Sequence, residues 1–120
     1  MDGIIVDTSS ILFAFSNRVD IFRRVKLQLG LAPVVSEGVI RELKAKAQGG
    51  GRSRAYARLA LDLIKNYGIN VDKDSGYVDR WIIASSKRYG SVCTNDTKLR
   101  RALRNSGSAV YTISRSGEFR

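Results

Sequence analysis

The sequence has 120 residues, of which 43% are hydrophobic and 27% are charged, which suits one folded domain with its own core. One cysteine and no histidine exclude an internal disulfide, a Ser-His-Asp triad, a Cys-His nucleophile and zinc sites that use histidine. The 21 Lys and Arg residues exceed the 11 Asp and Glu residues, for a net charge of +10, which favours nucleic acid over a membrane surface as partner. Because no apolar run approaches the length of a membrane span or resembles a signal peptide, we expect a cytoplasmic protein that makes no membrane contact.

Strand and helix patterns alternate along the chain. Short apolar runs that end at turn or cap residues predict five strands, at residues 3–6, 31–35, 69–71, 91–94 and 109–113. Apolar residues at three-and-four spacing predict helices at 9–15, 19–29, 37–47, 53–67, 77–89 and 97–104. The alternation predicts an α/β domain over residues 1–120 with a parallel sheet covered by helices on both faces.

Two carboxylates follow predicted strands directly. Asp7 comes after Ile4-Ile5-Val6, and Asp96 follows the strand that ends at Thr94. Because strands of a right-handed βαβ architecture point the same way, both carboxylates fall at the same edge of the sheet. They meet there if the first and fourth strands are neighbours, as in the order 3-2-1-4-5, whose reversal point is the usual ligand crevice.

Two further acids lie on predicted helices close to apolar positions. Glu42 is two turns into the helix that Ser36 caps, and Asp79 lies in the first turn of the helix from residue 77. Four carboxylates in one crevice would repel one another unless a cation compensates their charge. Oxygen ligands without histidine select Mg²⁺ or Mn²⁺, and such an ion beside a basic surface fits phosphodiester hydrolysis.

Each acid also has a purely structural explanation, which is weakest for Asp7 because Thr8 or Ser9 could cap the following helix instead. Asp96 is equally well explained as a helix N-cap. Asp79 fits as a favourable first-turn acid, and Glu42 can pair with Lys46 on an exposed face.

With these residues in place, the chain resembles the PIN-domain family of metal-dependent nucleases over nearly its whole length. The marks are Ile4–Ser9, Ser36–Leu43, Tyr77–Ile82 and Thr94-Asn95-Asp96 with Leu99. The resemblance implies a three-layer α/β/α PIN-like fold of order 3-2-1-4-5 and an endoribonuclease that prefers single strands and uses Mg²⁺ or Mn²⁺. It implies Asp7, Glu42, Asp79 and Asp96 as metal-binding catalytic acids, with Ser9, Thr94 and Asn95 in support, and often a homodimer.

The resemblance has one departure and two branches. Many family members carry a second acid where Arg80 stands here, which leaves one potential metal ligand fewer. Two branches of the family fit the sequence. One is the VapC-type toxins, which an antitoxin peptide holds inactive. The other is the nucleases that process precursor ribosomal RNA and have ribosome-assembly partners.

Basic residues flank the helices that carry Glu42 and Asp96, and the first group surrounds a glycine-rich loop at residues 48–53. We expect them to guide an RNA backbone: Arg41, Lys44, Lys46, Arg52, Arg54, Lys98, Arg100 and Arg101. Tyr77 is a candidate for stacking on bases, whereas Tyr56 fits a core position better and Trp81 fits the core or a dimer interface.

Two other hypotheses compete with that of a nuclease. A non-cleaving RNA-binding module on the same fold would keep the basic surface without needing the acidic set. A phosphate-accepting regulatory domain would need paired acids beside the first strand and a lysine after the last, and Ser114-Arg115 does not supply that lysine.

Overall fold

The computed structural model describes residues 2–120, which form five strands, six α-helices and one π-helical segment. The strands are β1 (Gly3–Val6), β2 (Ala32–Ser36), β3 (Asn70–Asp72), β4 (Ser91–Cys93) and β5 (Ala109–Tyr111). The α-helices are α1 (Thr8–Ser16), α2 (Ile21–Arg24), α3 (Glu37–Gln48), α4 (Ser53–Tyr67), α5 (Val78–Tyr89) and α6 (Thr97–Leu103), and the π-helical segment is Val25–Leu29.

All neighbouring strands are parallel, in the order β3-β2-β1-β4-β5. β1 is the central strand, and its Ile5 stands opposite Val34 of β2 and Val92 of β4. The predicted order 3-2-1-4-5 is therefore confirmed, and the reversal point lies between β1 and β4, where the chain first turns to one side and later to the other.

Helices cover both faces of the sheet, as the alternation of elements predicts. Helices α1, α3 and α4 pack on one another, while α5 contacts β1, β4 and α6. The three apolar residues of β1 are fully buried because a central parallel strand has helices on both sides. Trp81 of α5 is 2% exposed and belongs to the core.

The predicted helix over residues 19–29 differs in detail. It begins at Ile21, because the Asp20 carboxylate accepts hydrogen bonds from the backbone N–H groups of Phe22 and Arg23, which is an N-cap. It continues as a π-helix from Val25 and ends at Gly30. Apolar spacing does not distinguish these hydrogen-bond patterns, since all of them place Val25 against the core.

No helix within residues 2–120 combines the length and the apolar character needed to cross a bilayer.

The loop between β3 and α5 approaches helix α3 closely at a glycine. The backbone N–H of Gly38 donates to the carbonyl of Asp74 at 3.2 Å. A Cβ atom on Gly38 would lie 2.5 Å from the backbone carbonyl oxygen of Gly76. Glycine at position 38 therefore sets how tightly this loop packs against the helix that carries Glu42.

We predict that Gly38→Ala destabilises the protein by about 1–3 kcal/mol, because the methyl group displaces backbone that cannot rotate away. The matched control is Gly50→Ala, where a Cβ meets nothing within 4 Å. Urea unfolding of both variants measures the difference. Equal midpoints for Gly38→Ala and the unaltered protein would show that the loop moves freely.

Candidate active site

Asp7 lies at the end of the central strand and is 5% exposed. Its backbone N–H donates to the carbonyl of Cys93 at 3.0 Å, which continues the β1–β4 pairing by one residue. Its Oδ2 atom accepts hydrogen bonds from Thr94 Oγ1 at 2.7 Å and from Ser9 Oγ at 2.8 Å. One oxygen of the carboxylate is thus fixed across the switch point, and neither of these two side chains donates to Oδ1.

The surroundings of Asp7 disfavour its negative charge. Burial raises the pKa of the Asp7 carboxyl above its usual range, and the nearby charge of Asp79 raises it further. The hydrogen bonds from Thr94, Ser9 and the backbone of Thr8 lower the pKa and offset part of that increase. A buried carboxylate in this position gains from a compensating positive charge.

Asp96 is joined to Asp7 through one hydroxyl group. Thr94 Oγ1, which donates to Asp7, accepts from the backbone N–H of Asp96 at 3.1 Å. The Asp96 Oδ1 atom accepts from the N–H groups of Lys98 and Leu99 at 2.9 and 3.2 Å. Asp96 is therefore an N-cap of α6, and within the described chain its Oδ2 atom makes no hydrogen bond.

Asn95 ties this corner to the strand beyond it. Its side chain donates to the carbonyl of Ile113 at 3.0 Å and accepts from the N–H of Ile113 at 3.1 Å. Ser10 donates to the same Asn95 oxygen at 2.8 Å, and the Asn95 N–H donates to Ser9 Oγ at 3.3 Å. Asn95 therefore positions the corner between β4 and α6, and its side-chain amide makes three hydrogen bonds in doing so.

The two helix acids lie at the same edge. Glu42 accepts a 2.6 Å hydrogen bond at Oε1 from Thr8 Oγ1, on the residue that follows Asp7. Asp79 is in the first turn of α5, close enough to act on Asp7 through its charge. Both acids are exposed. The structure thus places all four predicted acids around the switch point, with Asp7 buried and the others nearer to solvent.

The four carboxylates are not drawn together. Within residues 2–120, no three Asp, Glu or Cys side chains form a group that could hold a metal ion as the side chains stand. The ion pairs over the same residues are Arg88–Asp72 and Arg120–Glu118, so none of the four acids is paired with a basic side chain. In a chain of net charge +10, the negative charges of these four acids thus have no basic side chain of residues 2–120 paired with them.

The predicted RNA-binding residues are all exposed and lie on three helices. Arg41, Lys44 and Lys46 are on α3, Arg52 and Arg54 are at the start of α4, and Lys98, Arg100 and Arg101 are on α6.

A cavity of about 310 Å³ on α6 is lined by Thr97, Arg100, Arg101, Arg104 and Val110. Arg104 belongs to the same basic stretch of the sequence, and its spacing from Thr97 and Arg100 places the three on one helix face. We call Arg100, Arg101 and Arg104 the α6 arginine face.

Cys93 takes no part in nucleophilic chemistry. It is fully buried beside Asp7, and burial raises the pKa of its thiol to about 12. The thiol is therefore protonated and unreactive at neutral pH, as expected of a small core residue.

We predict that Asp7→Asn stabilises the metal-free protein at neutral pH, since it removes a buried charge. The folded-state pKa of Asp7 is raised above 3.8, so the folded state binds the proton more tightly and its stability falls as pH rises through that window. In EDTA, the melting temperature of Asp7→Asn should exceed that of the unaltered protein by a few degrees at pH 7. A shift of this size corresponds to about 1 kcal/mol in the free energy of unfolding of a domain this large. The gain should shrink below pH 4 or so, where the carboxyl is neutral in both states.

Asp62→Asn, which alters an exposed carboxyl on α4, is the control and should show no such pH-dependent gain. A variant Asp7→Asn that melts lower than the unaltered protein at pH 7 would show that the hydrogen bonds to the carboxylate outweigh its burial.

Comparisons with known proteins agree with this fold. A family model described as a PIN like domain matches residues 4–115. The solved structure of the PIN domain endonuclease Utp24 is 22% identical, matches 93% of this chain and 85% of that chain, and has a TM-score of 0.74. A domain of a functionally unknown protein from Methanocaldococcus jannaschii DSM 2661 is 18% identical over 95% of this chain and 92% of that chain, with a TM-score of 0.61.

No curated protein sequence matches the chain. The family match spans nearly the whole length, and the predicted family and strand order are both confirmed. The chain belongs to the PIN-like domain family.

Proposed function

We propose that the protein is an endoribonuclease that hydrolyses phosphodiester bonds of single-stranded RNA with Mg²⁺ or Mn²⁺. The observation that carries the proposal is a buried carboxylate, Asp7, at the switch point of a parallel sheet, with three more acids around it and, among residues 2–120, no basic partner for any of them. The PIN-like family and fold support a nuclease-type function.

The donor set fits a hard divalent cation, because it consists of carboxylate oxygens without nitrogen or sulfur ligands. The residues that would hold it are Asp7, Glu42, Asp79 and Asp96. When bound, the ion supplies polarisation of the phosphoryl oxygen, a more acidic attacking water and stabilisation of the leaving oxyanion.

Hydroxyl groups of the chain prepare these carboxylates. Thr94 and Ser9 both donate to Asp7 Oδ2, and neither occupies Oδ1. The hydroxyl of Thr8, the next residue, holds Glu42 in the same way. Fixed partners of this kind orient ligands in advance and reduce the cost of ordering them.

The choice of RNA as substrate rests on charge. A net charge of +10 and exposed basic residues on α3, α4 and α6 supply contacts for a phosphate backbone without base specificity. A toxin held by an antitoxin peptide and an RNA-processing enzyme with ribosome-assembly partners are both compatible with such a surface, as is a homodimer. A non-cleaving RNA-binding module is the alternative, since the basic surface alone would suffice for it.

We predict that the protein cuts labelled single-stranded RNA in Mg²⁺ or Mn²⁺ and that EDTA abolishes cutting. Asp7→Asn and Asp96→Asn should each reduce the cleavage rate at least about 100-fold, because each removes a metal ligand. Thr94→Val should reduce the rate about 10- to 100-fold, because Asp7 loses the hydrogen bond that positions it. Asp62→Asn serves as the matched control with unchanged rate.

Cleavage that survives in EDTA would contradict the metal requirement. Tight binding of RNA without cutting by the unaltered protein, at any concentration of either metal, would favour the non-cleaving module.

We predict that the α6 arginine face contacts phosphates. Replacing Arg100, Arg101 and Arg104 by alanine should lower the slope of log affinity against log salt concentration by about 2, since each phosphate contact to a single strand contributes about 0.7. Binding by the Asp7→Asn protein, measured by fluorescence anisotropy, keeps the RNA intact. Exposed Arg23, Lys26 and Lys65, replaced together, form a control of equal charge, and an equal loss of slope in that control would show that only net charge matters.

A further inference from the structure

Tyr77 is exposed far more than an aromatic side chain usually is. It is 76% exposed, against 39% for Tyr67. Tyr67 donates its hydroxyl to Asp20, and Tyr89 donates its hydroxyl to Asp72. The Tyr77 hydroxyl makes no hydrogen bond to any residue in the range 2–120, so neither burial nor a polar contact accounts for an aromatic residue at this position.

The segment that presents Tyr77 is rigidly held. Asp72 Oδ1 accepts from the N–H of Asp74 at 3.0 Å, and Asp74 Oδ1 accepts from the N–H of Gly76 at 2.8 Å. The close approach of Gly38 to Gly76 fixes the same segment against α3. Tyr77 itself is the N-cap residue of α5. The ring therefore projects into solvent from an ordered base, which reduces the entropy cost of binding a ligand on it.

A cation lies over the ring and a cavity lies beside it. The Arg80 guanidinium carbon is 5.8 Å from the centre of the Tyr77 ring, within the range of a cation–π contact. Both side chains line a cavity of about 470 Å³, together with Asp74, Gly76, Trp81 and Ala84. Its volume is in the range typical of small-ligand sites, about 300–1,000 Å³. Planar groups such as a tyrosine ring and a guanidinium are surfaces on which bases stack.

The charges of this cavity distinguish it from the α6 arginine face. It carries one acid, Asp74, and one base, Arg80, so its formal charge is balanced. The cavity on α6 has three arginines and no acid. A phosphate would be attracted to the arginine face, whereas a neutral aromatic group fits the surface beside Tyr77.

Tyr77 also lies close to the proposed catalytic edge. It precedes Asp79 by two residues, and the charge of Asp79 reaches Asp7. A single strand that runs from these acids across the first turn of α5 is the path that such a contact requires. A base of the same strand then comes within reach of Tyr77.

We propose that Tyr77 and Arg80 form a nucleobase subsite that stacks one unpaired base of the bound RNA. This rests on the proposed function for the identity of the substrate class. The subsite adds a preference for single strands, because a base within a duplex has no free face to offer. Position 80, where the resemblance leads one to expect a second acid, serves substrate binding in this chain.

The test is RNA binding in the Asp7→Asn background, measured in EDTA with a short fluorescein-labelled single-stranded RNA. Adding Tyr77→Ala should weaken binding about 5- to 100-fold, the usual effect of losing one stacked base, and Tyr77→Trp should retain affinity. The salt slope should not change in either variant, since no charge is removed. Leu27→Ala, at a side chain that is 74% exposed on the π-helical segment, is the control and should bind as the parent does.

A series of RNAs that lack one base at each position in turn identifies the contact. Removing the stacked base should weaken RNA binding by the parent and by Leu27→Ala. It should cause no further loss of affinity in Tyr77→Ala or in the double variant Tyr77→Ala with Arg80→Ala, because the ring on which that base stacks is already gone. Tyr77→Ala binding within twofold of the parent, or additive losses at every position, would overturn the subsite. The cleavage assay is separate, so a protein that shows this stacking pattern but does not cut would refute the nuclease and keep the subsite.

Discussion

The hydrogen bond from Thr94 to Asp7 joins the two strands at which the sheet reverses its order. It connects a residue just beyond β1 to one just beyond β4, and the same Thr94 oxygen receives the backbone N–H of Asp96. Asp7 and Asp96 are therefore placed by one hydroxyl group. Since Thr94 is fully buried, this hydroxyl is shielded from bulk solvent, which strengthens its hydrogen bonds.

The charge of the site opposes the charge of the whole molecule. A protein of net charge +10 keeps four acids at one edge, and within residues 2–120 none of them forms an ion pair. Basic side chains stand on the flanking helices instead, where they attract a polyanion over distances of about a Debye length. Under the proposed function, the uncompensated acids favour a divalent ion at the point where a phosphate arrives. Attraction of the substrate and activation of the bond are then separated in space.

The edge that collects Asp7 and Asp96 could be predicted because strand direction and helix alternation fix which ends of parallel strands coincide. The N-cap role of Asp96 could be predicted only as an alternative to metal binding, because both roles favour an aspartate at the end of a strand. The hydrogen bond between Thr8 and Glu42 spans 34 residues, and no local pattern indicates such a contact. The π-helical segment depends on backbone geometry that periodicity alone does not specify.

The contact between Asn95 and Ile113 has a consequence for the order in which the protein is made. The Asn95 amide donates to the backbone carbonyl of Ile113 and accepts from its N–H, and Ile113 lies 18 positions later in the chain. A growing chain that stops short of Ile113 has strands β1 and β4 but lacks the contact that secures the corner between β4 and α6. The corner that positions Asp96 is therefore complete only once Ile113 has been synthesised and has packed against Asn95.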